Sequence, residues 1–415
     1  MSLRNRFLQK GLFILFLSPF LLYSSAAVLS AEQYDPPVEP QLRSRAAALY
    51  DYETGALLFS KAGETPIPPA SMTKLMTLHL VYKAIEEGRF GPDTLVRISR
   101  DEDFRNMPRR SSLMFLEEGQ EVTVLQLMEG LAVSSGNDAA VALARLVAGD
   151  AGRFVEQMNR EAANLGLKDV HFADPAGLSE ENMVTAVEFG RFCIHYIRSH
   201  PEALEQLHKL ESFTYPTEED VRNGEPVSLG TITQNNYNVL IGRHPWVDGL
   251  KTGYIDESGY NIALTAGVGG RRLVAVLLGG PGDNPDEGAL TRAIDGIHLL
   301  TFGFYAFSRV EPELPEMEPV RVWKGNVRQV NVNVPVPEPL ILPTGQSSLI
   351  TSEYEVADLL EAPLTIHDRI GTAKLRIGDK ILAEYPLYPT EDVEPGSWLR
   401  SLWDSVRLFF RRLFS

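Results

Sequence analysis

Apolar residues recur along this chain at two spacings, and the change from one to the other divides it. Short apolar runs at 46–51 and 56–60 flank Glu53-Thr54-Gly55, the form of a β-hairpin. Helical spacing follows over 72–87, 124–133, 138–148, 153–165 and 184–198, where apolar positions return every three or four residues. Strand character comes back at 260–266 and 273–278, on either side of Gly267-Val268-Gly269-Gly270, which reads as a hairpin turn. Strands at both ends of a helical stretch predict a mixed α/β (α+β) fold, an antiparallel sheet carrying a helical block. Further along, Val330, Val332 and Val334 alternate, and Leu375, Ile377, Gly378-Asp379 and Ile381 read as strand, turn and strand. That pattern predicts a small all-β sandwich.

Two runs rich in Glu and Pro, 310–320 and 389–396, interrupt these patterns. They set off residues 38–309 as a large domain, 310–320 as a linker, 321–388 as the sandwich and 397–415 as a tail. At the other end, Arg4, Arg6 and Lys10 precede an apolar run at 11–23, followed by Ser24, Ser25, Ala26 and Ala27. This is the layout of a secretory signal peptide over residues 1–31, cleaved after Ala27 or Ala31. An uncleaved membrane anchor is the competing reading, against which the apolar core is short.

The tail has its own pattern. Trp398, Leu399, Leu402, Val406, Phe409, Phe410 and Leu413 share one helical face, while Arg400, Arg407, Arg411 and Arg412 lie largely off it. Four arginines against Asp404 leave it at +3. Such a helix is expected to lie in a membrane interface, being too short and too charged to span. The competing reading packs it on the protein's own core or on another subunit.

Composition narrows the function. With 415 residues and 44% hydrophobic content the chain can bury a large core and divide into domains. A net charge of −16 excludes general affinity for nucleic acid. There is no Gly-x-x-x-x-Gly-Lys phosphate loop and no complete Gly-x-Gly-x-x-Gly fingerprint. Eight scattered histidines without a His-x-x-x-His pair give no ground for a metal, and no cofactor is expected. Cys193, the only cysteine, can form no internal disulfide, and in its apolar helical stretch it reads as a packing thiol. The sandwich, without clustered His, Cys or paired carboxylates, reads as a spacer or docking module.

Three strings carry candidate chemistry. Ser71-Met72-Thr73-Lys74 precedes a predicted helix, so Lys74 projects from the same face as Ser71 one turn on. A serine hydroxyl needs a base, and a lysine serves as one when burial or a neighbouring cation lowers its pKa. Ser135-Gly136-Asn137 lies between two helical patterns; Ser135 could relay a proton to a leaving amine, and the Asn137 amide could hold a substrate carbonyl. In Lys251-Thr252-Gly253-Tyr254 the glycine lets a peptide approach a strand edge, and Lys251 and Thr252 offer a cation and a hydroxyl to a terminal carboxylate. The Lys251 cation would also depress Lys74. Backbone N–H groups of Ser71 and Tyr254 are the candidate oxyanion hole. Plainer readings stand beside these: a helix cap at Ser71, a solvated charge at Lys74, an ordinary turn at 135–137 and an edge-strand charge at Lys251.

The three strings and their surroundings resemble the low-molecular-mass penicillin-binding proteins, specifically the serine-type D-alanyl-D-alanine carboxypeptidases. Pro69-Ala70-Ser71-Met72-Thr73-Lys74-Leu75-Met76-Thr77 is similar to that family's nucleophile segment. Val133-Ser134-Ser135-Gly136-Asn137-Asp138-Ala139 and Val247-Asp248-Gly249-Leu250-Lys251-Thr252-Gly253 match its other two boxes, and Arg292 with Asp295, Leu299-Leu300 and Phe302-Gly303-Phe304 resembles its closing helix. The resemblance implies a β-lactamase/transpeptidase-like domain and attack by Ser71 on the D-Ala-D-Ala bond of a peptidoglycan stem pentapeptide. It also implies acylation by β-lactams and peripheral attachment to the outer, periplasmic face of the bacterial cytoplasmic membrane. Two positions depart from the pattern: Asn236-Tyr237-Asn238 lacks a basic residue beside the first asparagine, and Tyr254 stands where relatives often carry histidine. The alternatives are a peptidoglycan endopeptidase of the same fold and a non-catalytic peptidoglycan-binding scaffold. A class A β-lactamase would need a Glu-x-x-x-Asn segment after Asn137, and none is evident.

Overall fold

The computed structural model describes residues 38–222 and 227–414; the leader expected over 1–31 lies outside the described residues. The large domain is built on a five-stranded antiparallel sheet of β1 (Ala46–Asp51), β2 (Leu57–Lys61), β3 (Val247–Ile255), β4 (Gly259–Val268) and β5 (Arg271–Gly280), in the order β2-β1-β5-β4-β3. Between β2 and β3 the chain forms α1 (Lys74–Glu86), α2 (Val124–Ala132), α3 (Asn137–Ala148), α4 (Ala151–Asn164) and α5 (Ala186–Ser199). The mixed α/β fold expected from the spacing is the fold observed.

The sheet is covered on both faces. Ala46, Ala48 and Tyr50 of β1 with Val274, Val276 and Leu278 of β5 join the core of the helical block, whereas Ala47, Leu49, Leu273, Ala275 and Leu277 meet Leu299 and Leu300 of α6 (Pro285–Ala306). Every residue of β1 is therefore buried, and its sequence reads as one apolar run rather than an alternation. Gly269 and Gly270, at φ 58° and 79°, make the β4–β5 turn with the two left-handed positions a tight hairpin needs. β3 is left at the open edge of the sheet.

Local signals set the helix starts. Thr123 and Gln126 form a reciprocal capping box at α2, and Asp150, Thr185 and Asn284 cap α4, α5 and α6 by accepting from the N–H three residues on. The nucleophile helix begins differently. Ser71 sits inside a 3₁₀ turn, Ala70–Thr73, and makes no cap hydrogen bond, so the chain enters α1 one turn after the serine.

In the C-terminal region, three- and four-stranded sheets enclose Val322, Val330, Leu360, Ile370, Ala373, Leu387 and Val393. The hairpin expected at 375–381 is present, Gly371–Ile377 pairing with Lys380–Pro389. The expected Val330-Val332-Val334 strand is divided: Val330 pairs with Val320, Val332 pairs with Pro389 in the other sheet, and Val334 is in no strand. The tail forms α7 (Trp398–Phe414), and among the described residues no helix is long and apolar enough to cross a membrane. Its polar face is docked: Asp404 Oδ2 accepts from Lys324 N–H at 2.9 Å and Arg400 Nη1 donates to Asn326 O at 2.9 Å. The helix is therefore held against the C-terminal region, and the face left open is the apolar one.

Beneath α1 lies a buried imidazole pair. His79 Nδ1 is 2.9 Å from His200 Nε2, and His79 Nε2 is 3.1 Å from Glu161 Oε1, which Lys83 also reaches at 2.8 Å. His200 stacks on Tyr82, and its Nδ1 lies 3.0 Å from Glu86 Oε1 without forming a hydrogen bond. Burial holds both imidazoles down, to about 4. A depressed histidine takes up its proton more readily in the unfolded chain, whose value is about 6.5, so stability is full above that pH and is lost as pH falls toward 4. Melting temperatures measured from pH 7 to pH 4.5 should fall progressively, and the His79→Gln variant should show a shallower fall.

Candidate active site

The sequence strings converge at the mouth of the helical block. Lys74 opens α1, Ser135 lies in the turn between α2 and α3, Asn137 starts α3, and Lys251, Thr252 and Gly253 lie on β3. Two residues hold left-handed backbone here, Ala70 at φ 51° and Ser135 at φ 58°. For side chains other than glycine this costs of order 1–3 kcal/mol, met by the surrounding packing. Asn261 Nδ2 donates to Pro68 O at 3.1 Å and its Oδ1 accepts from Gly279 N–H at 2.8 Å, tying the serine's turn to the sheet.

Lys74 Nζ has three neighbours: Ser71 Oγ at 2.9 Å, Asn137 Oδ1 at 2.7 Å and Ala176 O at 2.6 Å. The side chain is wholly inaccessible to solvent. Burial brings its pKa down to about 7, opposed by the Asp174 and Asp138 carboxylates. Two of the neighbours are carbonyl oxygens that can only accept, so both hydrogens of a neutral amine are used and its lone pair faces the Ser71 hydroxyl. The solvated-charge reading of Lys74 is therefore excluded.

Lys251 also departs from the plainer reading, since it is 2% exposed on an edge strand. Its ammonium donates to Thr252 O at 3.2 Å, and burial first, then the Lys74 and Arg292 charges, lower its pKa. Burial is the main cause of the depression of Lys74, and the repulsion between the Lys74 and Lys251 charges is a property of the pair that disfavours having both protonated at once.

A cavity of about 570 Å³ opens over the serine, walled by Ser71, Ser135, Thr252, Gly253, Tyr254 and Arg292 among others. Ser135 Oγ is buried there without a hydrogen-bond partner, free to take part in a proton relay. Lys251 lies behind this wall. Two guanidiniums lie on it, that of Arg110 and that of Arg292 of α6, whose Nη1 donates to Gly253 O at 3.3 Å and Nη2 to Tyr237 O at 3.2 Å. Tyr254 packs at 4.4 Å between ring centres on Tyr260 and donates to Asp256 at 2.7 Å.

Sequence reasoning gave Arg292 no place in this wall and overlooked the 174–179 loop entirely. Asp174 Oδ1 accepts from the N–H groups of Ala176 and Gly177 at 2.7 and 2.6 Å, and Oδ2 accepts from Ser179 N–H at 2.7 Å. The folded loop aims Ala176 O at Lys74, and Gly177 lies against the Ala70 carbonyl. The Asp-Pro-x-Gly string was a signal for a tight turn, but nothing local places that turn beside a lysine about a hundred residues away.

Known proteins are similar to this chain in sequence and fold. Residues 32–282 match the family described as D-alanyl-D-alanine carboxypeptidase, and residues 315–395 match the penicillin-binding protein 5 C-terminal domain. D-alanyl-D-alanine carboxypeptidase DacD of Escherichia coli is 34% identical over 375 residues, covering 89% of this chain and 91% of that one. A D-alanyl-D-alanine endopeptidase of Pseudomonas aeruginosa is 29% identical over 257 residues, 60% of this chain and 77% of its own. Penicillin binding protein 5 from Haemophilus influenzae superposes with a TM-score of 0.72 at 30% identity, covering 86% of this chain and 99% of that one. On the matched length and the conjunction of both domains, the chain belongs to the D-alanyl-D-alanine carboxypeptidase family, in the form that carries the penicillin-binding protein 5 C-terminal domain.

Proposed function

We propose that Ser71 attacks the peptide bond between the two terminal D-alanines of a peptidoglycan stem pentapeptide, with Lys74 as its base. The observation that carries this reading is the inaccessible Lys74 amine, 2.9 Å from Ser71 Oγ, with its other two contacts on carbonyl oxygens. Lys74 takes the hydroxyl proton as Oγ bonds to the carbonyl carbon. The N–H groups of Ser71 and Tyr254 hold the developing oxyanion, worth roughly 3 kcal/mol of barrier for each donor. Ser135 passes the proton from Lys74 to the leaving nitrogen, D-alanine departs, and water then cleaves the acyl-enzyme to regenerate Ser71.

Recognition uses the rest of the wall. Asn137, which already holds Lys74, faces the substrate carbonyl side, and β3 as an edge strand can accept an extended peptide alongside Gly253. Arg292 and Thr252 suit the terminal carboxylate, with the buried Lys251 supplying positive potential from behind. A β-lactam that mimics the terminal dipeptide acylates the same serine.

The reading also places the protein outside the cytoplasmic membrane, exported by its leader and lying on the periplasmic face through α7. Trp398, Leu402, Phe409 and Phe410, each more than half exposed, support that placement. Endopeptidase action on cross-linked peptides has weaker support, because the matched endopeptidase aligns with 60% of this chain against 89% for the carboxypeptidase. Incubation with a soluble pentapeptide ending in D-Ala-D-Ala should release free D-alanine, and Ser71→Ala should abolish the release. Cleavage of a cross-linked dimer without release from the pentapeptide would reverse the choice.

A further inference from the structure

The C-terminal helix presents two unlike faces. Trp398, Leu399, Leu402, Val406, Phe409 and Phe410 are exposed, whereas Asp404 and Leu408 are buried against the β-domain. Between that docked face and the domain lies a cavity of about 550 Å³, well away from the Ser71 cleft in sequence and lined by Arg321, Arg328, Arg400 and Arg407 together with Trp403 and Asp404. Four guanidiniums against one carboxylate give the wall a charge of +3 in a chain whose net charge is −16.

Among the described residues none of the four arginines forms an ion pair with a carboxylate, although the chain holds 55 acidic residues that could have supplied one. Arg321 lies over the Trp323 ring at 3.7 Å. Arg400 spends one nitrogen on Asn326 O, while its Nη2 is buried with no partner. Asp404 is turned to the Lys324 N–H. Like charges gathered in one concavity repel one another unless an anion joins them, and the planar guanidinium fork matches the oxygen spacing of a phosphate.

The position of the cavity identifies the source of that phosphate. Trp403, 63% exposed, lies on the helix between the cavity and the apolar face, so the two surfaces are contiguous. A helix with its apolar face among acyl chains carries its polar face at the depth of the headgroups, where basic pockets meet anionic lipids. We propose that this cavity binds a phosphate group, that of an anionic phospholipid headgroup. The proposal rests on the reading of α7 as a membrane-lying helix and adds a site to it. Because the arginines come from both the helix and the β-domain, a bound headgroup joins the two and fixes how the domain stands on the surface.

The test is vesicle co-sedimentation of the mature protein at physiological salt, comparing phosphatidylcholine with the same lipid containing roughly a third phosphatidylglycerol. The wild type should bind the anionic vesicles at least about thirtyfold more tightly, the lower end expected for two to four arginines near an anionic surface. Arg321→Gln/Arg328→Gln, which leaves the helix intact, should bind both vesicle types alike with an unchanged melting temperature. Arg411→Gln, which removes one helix charge outside the cavity, should keep most of the preference. A double variant that keeps the preference, or an Arg411→Gln that loses it equally, overturns the site in favour of diffuse charge. If the wild type binds neither vesicle, or a chain ending before Trp398 binds as well as the wild type, the membrane reading of α7 itself falls. Titration of inorganic phosphate into the lipid-free protein distinguishes the source: saturable binding that needs Arg321 and Arg328, without any vesicle preference, overturns the lipid assignment.

Discussion

Replacing Lys74 by Met or by Arg is expected to slow acylation of Ser71 by a labelled penicillin by about a thousandfold, within the usual range for loss of a positioned general base. The two variants separate two roles. Methionine fills similar volume without a proton acceptor, whereas arginine keeps a positive charge but cannot shed its proton in any accessible pH range. A lysine acting only as a fixed charge would be replaced tolerably by arginine; a base would be replaced by neither. The wild-type pH profile carries the same distinction. With Lys74 near 7, the fraction of free amine falls tenfold for each pH unit below that value, so acylation should climb with unit slope up to about pH 7 and level off above it. Melting temperatures for both variants establish that the fold persists. A Lys74→Arg enzyme with near-normal labelling, or a wild-type profile flat from pH 5 to 8, would remove Lys74 from the role of base.

The parts of this site visible in the sequence are those whose meaning is local. Ser71 and Lys74 are three residues apart at a helix start, so their contact follows from the chain's own geometry. Ser135-Gly136-Asn137 could be placed in an inter-helix turn because apolar helical patterns lie on both sides of it. Ala176 and Arg292 could not be found this way. Their roles depend on a carbonyl and a guanidinium delivered by elements about 100 and 200 residues from Lys74, and neither residue type announces itself. Burial was equally hidden: an isolated Lys74 reads as a solvated charge until the first nine residues of its helix, Lys74 to Tyr82, are seen to be inside.

The same reasoning explains the fold. Helices with one solvated face, such as α4, show their period plainly, while α6 was legible only in pieces. It buries Leu299 and Leu300 against the sheet yet exposes Leu290, Ile294 and Tyr305 on its outer side, so apolar residues surround it and blur the 3.6-residue repeat. In the β-domain, alternation over Val330–Val334 mimicked one strand because sequence periodicity cannot tell a chain that stays in a sheet from one that crosses to another.

Gly177→Ala should damage the site without touching any group that does chemistry. Gly177 has φ +80°, and a β-carbon added there would lie 1.9 Å from the Ala70 carbonyl oxygen and 2.4 Å from its carbon. Both obstructing atoms are backbone, so no side chain can swing away. Either the Ala70–Thr73 turn retreats and takes Ser71 with it, or the 174–179 loop retreats and withdraws Ala176 O from Lys74. Each displacement breaks the alignment of hydroxyl and amine, and misplacement by about 1 Å commonly costs a hundredfold in rate. The unfavourable backbone and the overpacking together should lower stability by about 3 kcal/mol. Gly166→Ala supplies the comparison: it has φ +72° but nothing within 4 Å of the added carbon, so it should lose only the backbone term of roughly 1 kcal/mol and keep its acylation rate. Labelling rates and melting temperatures of the two variants decide the matter. Equal, mild effects from both would mean that the loop yields freely and that its carbonyl does not hold Lys74 against Ser71.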